Sequence, residues 1–350
     1  MPTAAKDINE AYRQKKIKMA LSGMKIALLL PISAIIQNIF NSSVTESANA
    51  SISGTVLASV IASITILAIG DLFAGVFALI YNVANGKGLT EYKRVFDFKI
   101  SRTLLLASLF AGPIATGCWM AATPFAGLTI VSIITSLAPI FTAFVSRVFL
   151  KEHLSGRAVL GIIIVVAGAV IAGWGGLDMN GSNYIIGIIL ALMAPIGFTI
   201  EGQINTYAYD MVDPTVGVGM YRCFGSGFMG LILMVILCAA TGNMDVFTTL
   251  FSVIFSSPML ILMVALQGLM GTVNYLSANV AFNKTGPSRT LAVDSSRPFW
   301  SIPFGYLFAA LGISAYSVTT LGVVGAIVVV AGLILVICKP SELVNLRGGE

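Results

Sequence analysis

The sequence predicts an all-α integral membrane protein of ten transmembrane helices with both termini cytoplasmic, and three observations predict it. The first is composition. Of 350 residues, 57% are hydrophobic and 10% charged, where a soluble domain carries about 25% charged, and the mean hydropathy is +0.93. The second is the length of the apolar runs: a helix needs about 20 such residues to cross a bilayer. Ten segments meet this, near 21–40, 55–83, 103–123, 127–150, 158–177, 184–207, 215–240, 259–283, 288–311 and 315–338. The third is the placement of lysine and arginine, which are retained on the cytoplasmic side. With the N-terminus inside, Lys6 to Lys18, then Lys87 to Lys99, Lys151 and Arg157, Lys284, and Lys339 and Arg347 all fall inside. The opposite loops, at 41–54, 124–126, 178–183, 241–257 and 312–314, hold no Lys or Arg, only Glu46, Asp178 and Asp245. The turn after the sixth helix is the exception, with Asp210 and Asp213 and no basic residue.

The net charge of +5 therefore reports topology, and no nucleic-acid surface is expected. The N-terminus is polar up to about Leu21 and no small-x-small cleavage site follows, so no removable signal peptide is expected. Cys118, Cys223, Cys238 and Cys338 lie in apolar runs and His153 is the lone histidine. Metal catalysis and Ser-His-Asp chemistry lack their parts, so neither enzyme activity nor a cofactor is expected.

Taken in order, the first helix is interrupted by Pro31 and ends at Gln37-Asn38, placed near the outer mouth. Residues 41–54, NSSVTESANASISG, read as a flexible loop. With Asn180, Asn41 and Asn49 begin N-x-S patterns that matter only in a glycosylating compartment. The second helix buries Asp71, and the inner loop 85–102 is basic. The third carries Pro113, Thr116 and Trp119 and ends at Pro124; Trp119 reads as an interface anchor. Glycines 161 and 168 on the fifth helix and 325 and 332 on the tenth form stripes that let helices approach closely. The sixth places Glu201 and Asn205 one turn apart on one face, and the seventh carries Arg222 beside Gly225 and Ser226. The eighth lines up Gln267, Gly271 and Asn274, with Tyr275 and Asn279 beside them. The ninth sets Asp294, Arg297 and Ser301 on one face, with Pro298 and Pro303 breaking its backbone ladder. The segment 243–257 is amphipathic.

Five charges, Asp71, Glu201, Arg222, Asp294 and Arg297, fall inside helices away from their ends. Each costs about 2.5 to 3.5 kcal/mol at a helix centre, roughly 12–18 kcal/mol together if all faced lipid. They must face one another or water. The amides Asn205, Asn274 and Gln267 and the phenol of Tyr275 recur at similar depth, which favours a polar cavity over isolated salt bridges.

A hairpin of helices over Ala121 to Gly173 returns in looser form over Ser295 to Val336, with Pro139 laid on Pro298, Gly161 on Gly322, and Val165 to Gly168 on Val329 to Gly332. A repeated hairpin marks two halves. The pattern SLAP...FLKEHLSG...LGIIIVVAGAVI at 136–171 resembles the EamA-type repeat of the drug/metabolite transporter superfamily, in which a helix with a central proline is followed by a turn bearing a glutamate, here Glu152. The second copy has Ala309-Ala310 where the turn acid belongs. The resemblance implies two inverted five-helix repeats, at 21–177 and 178–338, between a cytoplasmic segment 1–20 and a tail 339–350. It also implies a central cavity lined by helices other than the fifth and tenth, and alternating access.

The expected function is secondary transport of a small polar metabolite, amphoteric or anionic, such as an amino acid. The residues expected to bind it are Asp71, Glu201, Asn205, Arg222, Asn274, Tyr275, Asp294, Arg297 and Trp300. Arg222 and Arg297 would hold a carboxylate or phosphate, since guanidinium offers a fixed fork of donors, and Glu201 or Asp294 would balance them or carry a coupling proton. Alternatives are a nucleotide-sugar or sugar-phosphate exchanger, or a channel or lipid-handling protein. The expected surroundings are the lipid bilayer, a bacterial inner membrane rather than an organellar one, with the chain a monomer or homodimer.

Overall fold

The computed structural model describes residues 2–49, 51–52, 55–152, 154–174, 184–312 and 318–337. Asp178, Asn180, His153, Cys338 and the tail 339–350, on which expectations were placed, lie outside the described residues. Those described are helical throughout, with no strand among them.

The chain opens with α1 (Pro2–Ala27) and α2 (Leu29–Asn49), broken at Leu28. Pro31 has no N–H to give the Ala27 carbonyl, which accounts for the break there. The second of these helices overturns one expectation: most of the presumed loop 41–54 is helix, because Val44 and Ala48, one turn apart, are fully buried against Ala58, Ile61 and Leu250. Next come α3 (Val56–Ala84), α4 (Leu89–Asp97) and α5 (Thr103–Leu109). The Oγ of Thr55 accepts from the Ala58 amide at 3.2 Å and starts α3, as N-cap residues do. A π-helical turn, Phe110–Thr116, holds Pro113 and leads into α6 (Gly117–Thr135). The expected end at Pro124 is thus not seen; the helical assignment is interrupted instead at Ser136-Leu137, before α7 (Ala138–Phe149).

Helix α8 (Gly156–Trp174) is followed by α9 (Tyr184–Ala208), the one-turn α10 (Pro214–Gly217), a π-helical turn Val218–Gly225 and α11 (Ser226–Thr241). The amphipathic segment forms α12 (Met244–Ser256). Then follow α13 (Pro258–Thr285), α14 (Pro287–Asp294), α15 (Arg297–Ala310) and α16 (Thr320–Ile337). The expected ninth helix is therefore two pieces: Pro298 cannot donate to the Asp294 carbonyl, and the ladder stops at Ser295-Ser296. Among the described residues, six helical segments are long and apolar enough to cross a membrane: Glu10–Thr45, Leu57–Ala84, Lys99–Ala122, Tyr184–Ala208, Pro214–Thr241 and Pro258–Thr285. The other four expected spans fall on shorter or interrupted helices.

Small residues set the packing. An added Cβ at Gly161 would lie 2.9 Å from the Gly332 carbonyl oxygen, and one at Gly168 would lie 2.9 Å from that of Gly325. These contacts run in opposite order along the two helices, so α8 and α16 are antiparallel. Exchanging Gly161 for Gly325 and Gly168 for Gly332 reproduces the same two contacts, as a two-fold axis between repeats would. Under that exchange Gly161 corresponds to Gly325, where the sequence comparison laid it on Gly322. Elsewhere Gly23 abuts Lys284 and Thr285, Gly268 abuts Gly70 and Phe73, and Gly187 abuts Ala126. These contacts lay α13 along α1 to α3, and α9 along α6.

Where α7 turns into α8, Lys151 adopts a left-handed φ of 51°, uncommon for a residue with a Cβ, and this turn buries Glu152. Ser288, at the start of α14, donates its hydroxyl to Glu152 at 2.6 Å. Gly286, at φ 82°, is required by the same contact, since a Cβ there would come 2.6 Å from Glu152 Oε1. Burial pushes the Glu152 carboxyl above its ordinary value, against the pull of Ser288 and Arg289.

Candidate functional site

The five intramembrane acids and bases fall into two clusters, Asp71 with Glu201 and Arg222, and Asp294 with Arg297. Arg222 lies in the π-turn Val218–Gly225; such one-turn widenings recur at functional sites. There it is buried at 3% exposure, and its Nη1 reaches Asp71 Oδ2 at 3.2 Å while its Nε reaches Glu201 Oε1 at 3.2 Å. The guanidinium carbon sits 3.7 Å from the ring centre of Tyr275, a cation–π contact in a desolvated place.

Asp71 is held from three sides. Ser226 donates to Oδ2 at 2.6 Å, Tyr275 donates to Oδ1 at 2.8 Å, and Arg222 supplies the ion pair. Gln37 in turn donates to the Tyr275 hydroxyl at 3.3 Å. Glu201 receives a longer bond from Asn205, 3.3 Å to Oε1, and Asn205 also donates to Asn279 at 2.6 Å, which donates to the Tyr275 carbonyl at 2.8 Å. The network ties α2, α3, α9, the π-turn and α13 together.

Asp294 and Arg297 form a second pair across the break in the ninth helix, with Arg297 Nε 3.1 Å from Asp294 Oδ1. Unlike the first cluster, this pair is partly exposed, 14% and 26% for the two side chains.

Between the clusters lies a cavity of about 60 Å³, room for a few waters and far below the 300–1,000 Å³ of a drug-sized site. Its charged and polar lining includes Glu201, Arg222, Asn274, Tyr275, Asn279, Asp294 and Arg297, with Gln37, Asn38 and Thr116. Its apolar lining includes Trp119, Met120, Phe198, Phe282 and Leu291. These residues come from α2, α6, α9, α13, α14, α15 and the two π-turns, and none from α8 or α16.

Of the nine residues singled out from sequence, six line this cavity: Glu201, Arg222, Asn274, Tyr275, Asp294 and Arg297. Asp71 and Asn205 stand behind it, bonded to the lining. Trp300 is not part of the lining; its ring stands edge-on to Phe299 at 5.2 Å. Asn274 donates to the Leu30 carbonyl at 2.9 Å. Three positions were misread or missed. Trp119 is buried at 7% exposure and faces the cavity, so it is no interface anchor. Gln37 lines the cavity and joins the buried network through Tyr275, a role its sequence position did not show. Ser226, the shortest donor to Asp71, had a signal in its spacing of one turn from Arg222.

Residues 23–174 match the model of the EamA-like transporter family. That family belongs to the drug/metabolite transporter superfamily. The EamA-like stretch holds Asp71 and Glu152, while Glu201 and Arg222 lie beyond it. Twenty-nine solved chains match; one, titled only as the crystal structure of a protein, superposes with a TM-score of 0.59 at 13% identity over 86% of this chain and 96% of that one. At that identity the likeness shows the fold alone. No curated protein matches the sequence. The match and the long apolar helices indicate a multi-pass integral membrane protein.

Proposed function

We propose that this protein is a secondary transporter working by alternating access, moving a small zwitterionic or anionic metabolite of amino-acid type across the cell membrane. Ten spans in two inverted repeats, with both termini on the cytoplasmic side, are part of this reading. The observation that carries it is the cavity, ringed by charges of both signs and backed by aromatic and aliphatic side chains. Its 60 Å³ fits an occluded, unloaded arrangement, which must widen for cargo to enter.

The state of the two arginines supports a zwitterion over a phosphate-bearing cargo. Arg222 already serves two carboxylates and a ring. Arg297 is paired with Asp294 at the cavity edge. Opening that second pair would present one cation and one anion together, which complements an ammonium and a carboxylate on one molecule. The cavity's Trp119, Phe198 and Phe282 would receive an apolar side chain.

Counterflow of a radiolabelled amino-acid mixture in proteoliposomes tests this directly. Saturable exchange supports it, whereas unsaturable flux, or exchange only of sugar phosphates, overturns it.

A further inference from the structure

Three lysines gather at the end of the bundle where α1 meets α13. Lys18 and Lys25 are exposed on α1, two turns apart on one face. Lys284, half-buried in the last turn of α13, donates to the Ser22 hydroxyl at 3.4 Å. Among the described residues no carboxylate pairs with any of the three. They come from opposite halves of the chain, and close packing brings them together: an added Cβ at Gly23 would lie 2.6 Å from Lys284 Cβ. Further along, the Leu30 carbonyl accepts from Asn274 at 2.9 Å, so the chain through α1 into α2 runs antiparallel to α13. Lys25, two residues past Gly23, therefore lies about 3 Å deeper in the bundle than the level of Lys284. A cation placed there, within the apolar segment Glu10–Thr45, calls for a counter-charge or for reach toward the membrane surface.

One face of α1 is already covered, since Ala20, Met24 and Ala27 are buried, the last two in a cluster with Ala281, Ala292 and Val293. On the other face Lys18, Leu21, Ser22, Lys25 and Ile26 line a recess of about 380 Å³, and Lys284 is held beside it through Ser22. One turn past Lys25, Leu29 is 46% exposed on the same stripe, so cations give way to hydrocarbon with depth. A helical side chain leans toward the N-terminus of its helix, which carries the Lys25 ammonium toward Ser22 and away from Leu29.

We infer that this recess binds an anionic phospholipid, with its phosphate among Lys18, Lys25 and Lys284 and an acyl chain along Leu29. A soluble phosphate would meet the ammonium groups but leave Leu21, Ile26 and Leu29 uncovered. A zwitterionic lipid would bring its own cation to three others. The bound headgroup ties α1 to α13, and so one half of the chain to the other at this end; a ligand that binds only the folded form raises its stability. Under the proposed orientation this end is cytoplasmic, where anionic lipids concentrate.

Native mass spectrometry and thermal melting of the full-length protein in detergent test this, with phosphatidylglycerol, phosphatidylcholine and glycerol phosphate as probes. Phosphatidylglycerol should form adducts and raise the melting temperature, and the other two should do neither at the same concentration. The double variant Lys18→Gln with Lys25→Gln should weaken the phosphatidylglycerol adduct about fivefold for each lysine removed. Its melting temperature without lipid should be unchanged, since both side chains are exposed. The double variant Lys93→Gln with Lys99→Gln removes the same charge from exposed lysines elsewhere and should leave the adduct intact. Equal adducts with phosphatidylcholine, an equal rise with glycerol phosphate, or equal weakening in the second double variant overturns the site. None of these readouts involves transport, so the lipid site and the carrier reading stand or fall separately.

Discussion

Arg222 sits over the ring of Tyr275, its guanidinium carbon 3.7 Å from the ring centre, while the same tyrosine's hydroxyl donates to the acid that Arg222 pairs with, Asp71. One side chain thus steadies both members of a buried ion pair. Removing Arg222 would strand two carboxylates, and breaking a buried pair in this way costs about 3–5 kcal/mol. Tyr275→Phe deletes one donor and leaves the ring, a loss of about 1–2 kcal/mol. Denaturation of the purified protein in detergent should rank Arg222→Gln well below Tyr275→Phe; equal losses would mean that the pair is not the stabilising contact.

The glycine stripes make a separate prediction. A Cβ at Gly325 would lie 2.2 Å from the Ala172 amide nitrogen, a backbone atom that cannot swing away. Gly325→Ala should therefore part α8 from α16 and cost about 1–3 kcal/mol. Gly156, at the start of α8, has nothing within 4 Å of such a Cβ, and Gly156→Ala should stay within about 0.5 kcal/mol. Thermal melting of both variants checks the contrast.

Glu152 ties the α7–α8 turn to the start of α14, and its pH dependence has a definite sign. Burial raises its carboxyl above the ordinary 4.5 despite Ser288 and Arg289. The folded state therefore holds the proton more tightly than the unfolded chain. Its stabilising contribution is complete below the ordinary value and is lost as pH rises through the raised one. Denaturation midpoints should fall with pH above 4.5 in wild type, and that slope should weaken in Glu152→Gln. A wild-type midpoint that climbs over the same window contradicts this.

Asp213 shows the opposite sign. Burial acts to raise its carboxyl, but Lys87, at 2.7 Å, and Thr215 outweigh it and hold the group below its ordinary 3.8. Its contribution is present above that value and lost as pH falls through the lowered one. The pair is over a third exposed on the Asp213 side, so Lys87→Ala should cost under about 1 kcal/mol. A larger loss by thermal melting would mean that Lys87 does more than cap α10 through Asp213.

Much of this was legible because charge in hydrocarbon has few places to go. The expense of burying Asp71, Glu201 and Arg222 in helices was enough to demand that they meet, and they do. Which donor meets which acid was not legible: periodicity assigns Ser226 and Gln37 to a helix face but does not say which neighbour that face meets. Trp119 was misplaced because an aromatic near a helix end fits an interface and a cavity wall equally well in one dimension. The helical run through Val44 and Ala48 was masked by its serines and asparagines, although those two apolar residues and Phe40 recur at helical spacing, and Phe40 meets Phe308 edge-on at 5.9 Å. The stop at Ser295-Ser296 follows from Pro298, which the sequence displays, but proline alone does not tell a kink from a break.

The carrier reading is tested most directly at the Asp294–Arg297 pair, which lines the cavity but is ion-paired separately from the buried Asp71–Arg222–Glu201 cluster. Counterflow of radiolabelled amino acids should be saturable in wild type and fall at least about tenfold, equivalent to about 1.4 kcal/mol, in Arg297→Gln and in Asp294→Asn, with melting temperatures unchanged. Full counterflow in both variants would contradict it.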